Sequence, residues 1–453
     1  MLTVLMISLI VLTVSAYEQD IVYTEGTNFM LNGEIFYFAG ANSYDIFTRG
    51  DGWIGWNDGT REDIINNFMD QEEIDQIMSN AAQDGIRVLR TWGFSHEEWH
   101  GFEPEEGEYN EAQFILFDYI LKSAGDHGVK IIIVLENYWA DYGGIDARLE
   151  WEGLPSGDHD SRRLFFTDPG CKEQYRNYIE HFVTRVNTFT GIPYSEDTVI
   201  FSWELMNEPR YQSSDSSDEE NESGETLRAW VDEMALFIKD LDPNHMVSAG
   251  IEGHESKYGF GGNEGNPFIY IHQSPYIDFC TAHPYPDEPW ANLSPDQNAD
   301  LLTQWINDAH HEVGKPIVIE EFNVHNYLEE YWGKMFTVIE EMDAGGSNFW
   351  NYETRNASNF SVYHGDPIME NVFIPHAQRM IEKSGSVNPD IKAGDLNGDD
   401  SINSIDYTLM RRYLLSLNPD ISLEAADLNG DNSINSIDYT LIRRYLLGII
   451  DQI

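Results

Sequence analysis

Eight short apolar segments, separated by amphipathic stretches, limit the fold more than any other feature of this 453-residue sequence. Each segment has the length and the β-branched content of a buried strand, and the stretches between them repeat with the 3.6-residue period of helices. This alternation predicts a (β/α)8 TIM barrel, in which parallel strands form the core and helices pack outside. The strand candidates are residues 35–40, 86–92, 129–136, 198–207, 246–252, 277–283, 316–322 and 347–352.

A doubly wound open sheet is the alternative way to arrange alternating strands and helices. Nucleotide-binding members of that class carry a glycine-rich loop after the first strand, and this sequence has none there. The barrel is therefore the favoured prediction. A short hairpin precedes it, with Asn32-Gly33 as a turn. The predicted helices are residues 70–84, 111–127, 173–189, 226–241, 295–313 and 328–343.

Charge and composition restrict the partners. With 26 basic and 79 acidic residues the net charge is −53, so we expect neither nucleic acid nor an anionic membrane as a partner. The chain from Asp390 onward has 5 basic and 11 acidic residues, which leaves −47 in the first 389 residues and indicates a solvated acidic surface. An aromatic content of 13% suits a core plus exposed rings that stack on sugars, although composition alone does not establish it.

The first sixteen residues are apolar, end in Ser15-Ala16 and are too short to cross a bilayer. They predict a signal peptide that is cleaved near Ala16, and hence a secreted, extracellular protein. Elsewhere the sequence has no stretch long and apolar enough for a transmembrane helix. The two cysteines, Cys171 and Cys280, do not make a disulfide framework, and we expect both to be free.

The C-terminal part contains a duplication. The segment that begins at Asp395 returns almost unchanged 32 residues later, at Asp427. Helical patterns follow at 407–415 and 439–447, and no helix precedes either loop. An EF-hand has Gly at position 6 and Glu at position 12 of its loop, whereas these loops have Gly at position 4 and Asp at position 12.

Each copy places short oxygen donors at positions 1, 3, 5, 7, 9 and 12 of a twelve-residue loop. This spacing suits the oxygen shell of Ca²⁺, so two structural calcium ions are predicted. A solvated acidic turn without metal is the alternative, and the near-identity of the copies disfavours it. The predicted ligands are Asp395, Asn397, Asp399, Ser401, Asn403 and Asp406 in the first loop and Asp427, Asn429, Asp431, Ser433, Asn435 and Asp438 in the second.

Two carboxylates lie at the carboxyl ends of predicted barrel strands, where barrels of this class keep their chemistry. Glu208 follows the fourth strand, and Glu320-Glu321 ends the seventh, across the barrel. Because the pleat alternates, only one residue of that pair points into the mouth. A strand-end glutamate alone is as readily a helix cap, but two facing acids are what glycoside hydrolysis requires. Their separation, and hence retention or inversion, cannot be deduced from sequence.

Other polar and aromatic residues end neighbouring strands. Arg90 ends the second strand, His283 and Tyr285 follow the sixth, and Trp350 ends the eighth. Taken singly, each has a structural explanation, as an ion pair, a hydrogen-bonded core histidine or barrel packing. Their joint placement on one face of the predicted barrel favours a site.

Residues from about 20 to 380 resemble glycoside hydrolase family five, in its endo-β-1,4-mannanase branch. The matching stretches are residues 89–94, 136–144, 203–210, 283–287 and 315–322. Asn323 and Pro284 depart from the family pattern beside the site, which leaves subsite details open.

The resemblance implies that Glu208 is the acid/base and Glu321 the nucleophile of a retaining mechanism that needs no cofactor. It further implies that Asn207 binds the sugar 2-hydroxyl in the −1 subsite. The other substrate-site residues that it implies are Arg90, which orients Glu321, His283 and Tyr285, which tune the acids, Trp350, which floors the −1 subsite, and Trp139 and Trp92 as further aromatic contacts.

The duplicated tail resembles a type I dockerin, the module that binds a cohesin domain on a scaffold protein. We therefore predict a signal peptide at 1–16, a catalytic domain at 17–381, a linker at 382–389 and a dockerin domain at 390–453. The resemblance implies a monomeric endo-β-1,4-mannanase for mannan, glucomannan or galactomannan in a cellulosome-type complex. An endo-β-1,4-glucanase or mixed-specificity hemicellulase is the alternative. A non-catalytic polysaccharide binder is disfavoured because both acids are present.

Overall fold

A computed structural model describes residues 20–50 and 60–384, and in the C-terminal part residues 394, 396, 402, 404–415, 423–426, 428 and 434–446. The chain divides into two compact units, Met1–Ser384 and Gly385–Ile453. The predicted signal peptide and the predicted linker after Ser384 lie outside the described residues. Of the predicted calcium ligands, Asp406, Asn435 and Asp438 are described and the others are not. The domain boundaries stay a prediction.

The first unit begins with an antiparallel sheet of three short strands, β1 (Tyr23–Glu25), β2 (Asn28–Leu31) and β3 (Glu34–Ile35). The eight predicted barrel strands follow, all of them parallel. They are β4 (Phe38–Asn42), β5 (Val88–Trp92), β6 (Lys130–Val134), β7 (Ile200–Glu204), β8 (Met246–Ser248), β9 (Cys280–Ala282), β10 (Ile317–Ile319) and β11 (Gly346–Trp350).

Ladder pairing runs in the order β8-β7-β6-β5-β4-β11-β10-β9. Backbone hydrogen bonds close the remaining seam between β8 and β9, because Asp278 N donates to Val247 O and His283 N donates to Glu252 O, each at 2.9 Å. The (β/α)8 prediction is confirmed.

Helices cover the outside of the barrel, and all six predicted helices are present. They are α2 (Gln71–Gln83), α3 (Glu111–His127), α6 (Pro169–Val183), α8 (Glu225–Leu241), α10 (Pro295–Asn307) and α11 (Leu328–Glu341). The third begins earlier than expected because the Asp168 side chain accepts from Gly170 N and Cys171 N, and Pro169 occupies the first turn. The fifth ends in a π-helical turn, Asp308–Val313.

Further helices were not predicted. They are α1 (Arg61–Asn67), α4 (Gly144–Trp151), α5 (His159–Thr167), α7 (Glu220–Ser223), α9 (Phe268–His272) and α12 (Ile374–Lys383). None exceeds 10 residues, so each has too few turns for a 3.6-residue period to be recognised. None of the described helices has the combination of length and apolar character needed to cross a membrane. Cys171 and Cys280 are both buried and free, as expected.

The barrel interior is apolar at its amino-terminal end. One buried side chain from each of β4 to β8, together with Phe279 just before β9 and Val318 of β10, fills this layer. Phe29 of the hairpin closes it from below, with its ring centroid 5.2 Å from that of Phe201 and 5.3 Å from that of Phe279. Above this layer the interior is polar. The polar side chains therefore lie at the carboxyl-terminal mouth of the barrel, where barrels of this class have their active sites.

The second unit has three described helices, α13 (Ser404–Leu414), α14 (Leu423–Ala426) and α15 (Ser436–Leu446). The expectation that no helix precedes either loop is wrong for the second loop, because the single turn α14 ends directly before Asp427. Among the residues described in this unit, Leu396, Met410, Ala426 and Ile442 form a buried apolar cluster. The two copies meet through equivalent tyrosines, because the rings of Tyr407 and Tyr439 stack with centroids 4.5 Å apart. The repeat in the sequence is therefore also a repeat in the packing.

Phe29→Ala should destabilise the first unit by about 3–5 kcal/mol, because it empties a fully buried aromatic site. Urea unfolding followed by tryptophan fluorescence measures this, since all 12 tryptophans precede residue 385. Tyr23→Ala in the same hairpin is the matched control, because Tyr23 is 42% exposed, and it should change stability by less than about 0.5 kcal/mol. Equal effects from both variants would contradict the role of Phe29 as a plug.

Candidate active site

The loop after β7 carries Glu208 into the barrel mouth. Its backbone is fixed on both sides, because Asn207 N donates to Glu136 O at 2.8 Å and Glu208 N donates to Gly250 O at 2.9 Å. Glu208 adopts a left-handed φ of 52°, which non-glycine residues seldom adopt outside constrained sites. Gly250 lies so close that an added Cβ would meet Met206 O at 2.1 Å. The local packing therefore requires glycine there and holds Glu208 in place.

Glu321 reaches the mouth from the end of β10. Its carboxylate accepts a hydrogen bond from Arg90 at 2.6 Å and one from the Tyr285 hydroxyl at 2.9 Å. One oxygen of Glu208, one oxygen of Glu321 and a ring nitrogen of His283 all lie within 4.8 Å of one another. These three groups are close enough to hold a cation, but each already contacts a charged or hydrogen-bonding protein group.

Arg90 lies beneath both acids and is fully buried. Its guanidinium uses all five of its N–H groups. Nε donates to Glu204 at 2.9 Å and Nη2 donates to the same carboxylate at 2.6 Å. The other three hydrogen bonds go to Asn42 at 2.9 Å, Glu321 at 2.6 Å and Asn207 at 2.8 Å. One cation thus orients the nucleophile candidate together with Asn207.

Glu208 has two partners of its own. His283 Nδ1 lies 3.0 Å from Oε1, and Trp139 Nε1 donates to Oε2 at 2.7 Å. Burial acts to raise the pKa of Glu208, but the hydrogen bond and charge of His283 outweigh it and lower the pKa to about 2. Burial acts to lower the pKa of His283, but the charge of Glu321 and the bond to Glu208 outweigh it and raise the pKa to about 10. Each group therefore shifts the pKa of the other, because the charge of one favours the charged form of its partner.

The pKa of Glu321, in contrast, is raised above its ordinary value. Burial is the largest influence on its pKa and raises it, and the Glu208 charge adds to this. The charges of His283 and Arg90 and the hydrogen bond from Tyr285 act in the other direction. Both oxygens accept hydrogen bonds, a geometry that favours the carboxylate form.

Two grooves meet at the acids and share Trp139, Glu208 and Tyr285. The first, of about 760 Å³, contains Glu321 and Trp350. The second, of about 630 Å³, extends past Glu208 in the other direction. It is lined by Arg210, His254, Gly261, Gly262, Glu264, Glu288, Trp290 and Phe360. The cleft therefore runs past the two acids on both sides.

The predicted aromatic residues occupy different depths. Trp350 lines the first groove and stacks on Tyr44, with ring centroids 4.6 Å apart. Trp92 is only 4% exposed and packs edge-on behind Tyr44, so it supports the wall more than it faces the groove. The side chain of Asn323 donates to the backbone oxygens of Trp350 and Phe360. Asn323, which departs from the family pattern, thus holds the end of β11 and the loop that follows Trp350.

Sequence reasoning missed several residues that complete this site. Glu204 and Asn42 accept hydrogen bonds from Arg90. Glu204 could have been found from the sequence, because it is the last residue of β7, the strand that precedes the Glu208 loop. On the far side, Arg210 is paired with Glu252 at 2.7 Å and with Glu264 at 2.6 Å. Glu252, His254 and Glu264 are close enough to hold a cation, but Arg210 already pairs with both carboxylates. No pattern in the sequence marks this second cluster.

Comparison with known proteins identifies the first unit. Residues 19–372 match the family described as GH family 5 beta-mannosidase-like. The chain belongs to this family. Residues 393–447 match the Dockerin type I domain. The family five match spans the whole barrel and both acids, so the resemblance stated from the sequence is confirmed.

Curated relatives and solved structures agree with this family five assignment. The Arabidopsis thaliana protein named mannan endo-1,4-beta-mannosidase 7 is 35% identical over 66% of this chain and 67% of its own length. The Solanum lycopersicum protein named mannan endo-1,4-beta-mannosidase 4 is 32% identical over 76% and 86%. The endo-beta-1,4-mannanase of Thermotoga petrophila superposes with a TM-score of 0.65 at 28% identity, covering 80% of each chain.

The dockerin domain shows equivalent carboxylates at the last position of each predicted calcium loop. Asp406 and Asp438 are both fully buried. Asp406 accepts from Leu396 N and Asp438 accepts from Leu428 N, each at 2.9 Å. Buried, acceptor-only side chains that bind their own loop suit an oxygen-rich cation site. Of the other predicted ligands only Asn435 is described, and its backbone N–H donates to Asp438 at 2.8 Å.

Proposed function

We propose that this family five protein is a secreted endo-β-1,4-mannanase that retains anomeric configuration and binds a cohesin through its tail. The observation that carries the catalytic part is the pair Glu208 and Glu321, whose nearest oxygens lie within 4.8 Å inside an open cleft. Carboxyl groups about 5–5.5 Å apart are typical of retaining glycosidases, whereas inverting enzymes need about 6.5–9.5 Å to admit a water molecule.

Glu321 is the nucleophile in this mechanism. Arg90 and Tyr285 donate to its two oxygens and stabilise the carboxylate. Attack of one oxygen on the anomeric carbon breaks the glycosidic bond and forms a glycosyl ester. Glu208 gives a proton to the departing oxygen, then takes a proton from the water that attacks the same carbon and releases Glu321.

Asn207 lies beside the nucleophile candidate and suits the sugar 2-hydroxyl. Its Oδ1 accepts from Arg90 at 2.8 Å and one hydrogen of Nδ2 goes to Asn137 at 3.1 Å. An amide nitrogen has two hydrogens, so the second can bind the substrate. Trp350 offers a ring face for the −1 sugar in the first groove.

Cleavage within a chain requires sugar contacts on both sides of the acids, and the two grooves supply them. Trp290 is 50% exposed and lines the second groove, where its ring packs against those of His254 and Phe260. Such a supported, exposed ring suits stacking on a sugar. The choice of mannan rests on the named activity of the plant relatives and of the Thermotoga enzyme.

The full chain should release β-configured oligosaccharides from mannan and glucomannan, and far less from carboxymethylcellulose. The geometry of the acids predicts the configuration, because displacement twice at one carbon restores it. Proton NMR of the first products, read before mutarotation, together with chromatography of both digests, measures this. Release of α-configured sugar would contradict retention, and equal or faster cleavage of carboxymethylcellulose would favour the glucanase alternative.

Glu208→Gln and Glu321→Gln should each lower kcat by about 10²–10⁴-fold or more, since each removes an acid–base or nucleophilic group. Steady-state assays on mannan measure the loss, and unfolding midpoints check that the barrel is intact. Glu106→Gln is the matched control, because Glu106 is exposed in the loop after β5, away from both grooves. Near-normal turnover in Glu321→Gln would exclude it as nucleophile.

The dockerin domain should bind two calcium ions and need them to fold, because its described apolar core is small. Calorimetric titration should give a stoichiometry of two, and chelation should abolish binding to a cohesin domain. Magnesium should not restore binding, since it prefers a smaller octahedral shell. Mannan hydrolysis is the internal control and should survive chelation. Unchanged cohesin affinity in excess chelator would reject the proposal.

A further inference from the structure

A groove outside the cleft lies at the same end of the barrel as the two acids. It has a volume of about 790 Å³ and is formed by the start of α11 and by the loops that follow β10 and β11. Both loops leave the carboxyl ends of their strands, so this groove, here called the rim groove, lies at the mouth. Its apolar lining includes Tyr327, Leu328, Val362 and Ile368, and its polar lining includes Glu329 and Asp366.

Tyr327 presents an exposed ring on a fixed backbone. It is 78% exposed, and its backbone has a left-handed φ of 58°. Its carbonyl accepts from Glu330 N at 3.0 Å and from Tyr331 N at 3.2 Å. Two residues earlier, His325 N donates to Asp287 at 2.8 Å and fastens the loop. An aromatic ring that is already held in place loses little conformational entropy when it binds a ligand.

The rim groove shares a wall with the second groove of the cleft. Phe360 lines the second groove, and the next two residues, Ser361 and Val362, line the rim groove. The ring of Phe360 packs on that of His325, with centroids 4.3 Å apart, and His325 belongs to the loop that ends at Tyr327. The same two loops therefore form the wall of the second groove and the rim groove beyond it.

The lining of the rim groove indicates the chemistry of its ligand. Among the described residues that line it, none is basic, and Glu329, Glu330 and Asp366 carry carboxylates. Such a groove repels anions. Carboxylates accept hydrogen bonds from hydroxyl groups, and an exposed aromatic face offers a large apolar surface to the C–H face of a sugar ring. A neutral polysaccharide combines hydroxyl groups with such faces.

We propose that the rim groove binds a further part of the mannan chain that lies in the second groove, with Tyr327 as the ring on which a sugar stacks. This inference rests on the proposed mannanase function and extends its binding surface. A polysaccharide is longer than the cleft, so it leaves the second groove and passes over the wall at Phe360. Contacts beyond that wall strengthen the binding of a long chain without touching the reacting sugar.

Tyr327→Ala should raise KM on soluble polymeric mannan by about 3–10-fold, because it removes an aromatic contact that is equal in the ground state and the transition state. Steady-state assays should show an unchanged kcat on mannan, and unchanged kcat and KM on the shortest mannooligosaccharide that is cleaved. Tyr327→Phe should keep the original KM, because the ring remains. Tyr23→Ala is the matched control, since Tyr23 is 42% exposed in the hairpin at the other end of the barrel. An unchanged KM on mannan in Tyr327→Ala, or an equal rise on both substrates, would overturn the proposal.

Calorimetric titration of the full chain with a long soluble mannooligosaccharide distinguishes the possible occupants. With Glu321→Gln in place to prevent cleavage, we expect one chain per protein and weaker binding when Tyr327→Ala is added. Two chains per protein would mean that the rim groove binds a separate chain, and would overturn the continuous path. Loss of self-association or of cohesin binding in Tyr327→Ala, with KM on mannan unchanged, would assign the groove to a protein and overturn the proposal. Failure of the unmodified protein to hydrolyse any mannooligosaccharide would instead reject the proposed function, and the titration would still report on the rim groove.

Discussion

The site depends on one buried guanidinium. Arg90 joins β4, β5, β7 and β10 through hydrogen bonds to Asn42, Glu204, Asn207 and Glu321. Because its fork is planar and fully used, each partner has little freedom to move. A lysine would supply the positive charge but not five N–H donors in a fixed planar arrangement. A single cation thus fixes Glu321 directly and Glu208 only through its neighbour Asn207.

The polar layer around Arg90 contains more carboxyl groups than cationic side chains. Four carboxyl groups, Glu204, Glu208, Glu320 and Glu321, face two cationic side chains, Arg90 and His283. An excess of acid suits a reaction whose transition state gains positive charge on the sugar ring. Because the carboxyl groups outnumber the cationic side chains, one cation must serve more than one carboxyl group. His283 lies within 3.9 Å of Glu208, Glu320 and Glu321, whereas Arg90 binds Glu204 and Glu321.

The two units differ in the buried side chains that stabilise them. The barrel is filled by large side chains, including the aromatic layer closed by Phe29. The described core of the second unit is a few side chains around Met410 and Ile442. The proposed binding of calcium would add to the stability of this unit. The equivalent buried aspartates, Asp406 and Asp438, are placed to link the loops to the helices in both copies.

The sequence by itself determined the barrel, the two acids at the carboxyl ends of facing strands, Arg90 at the end of the second strand and the duplicated loops. Strand and helix periods and strand-end positions are local properties, so a single chain displays them. Short helices such as α4 and α5 were missed because they span too few turns. Only the tertiary structure decided how near Glu208 lies to Glu321 and that the second groove contains Trp290. Those facts depend on how separate loops fold over the barrel, which no local pattern encodes.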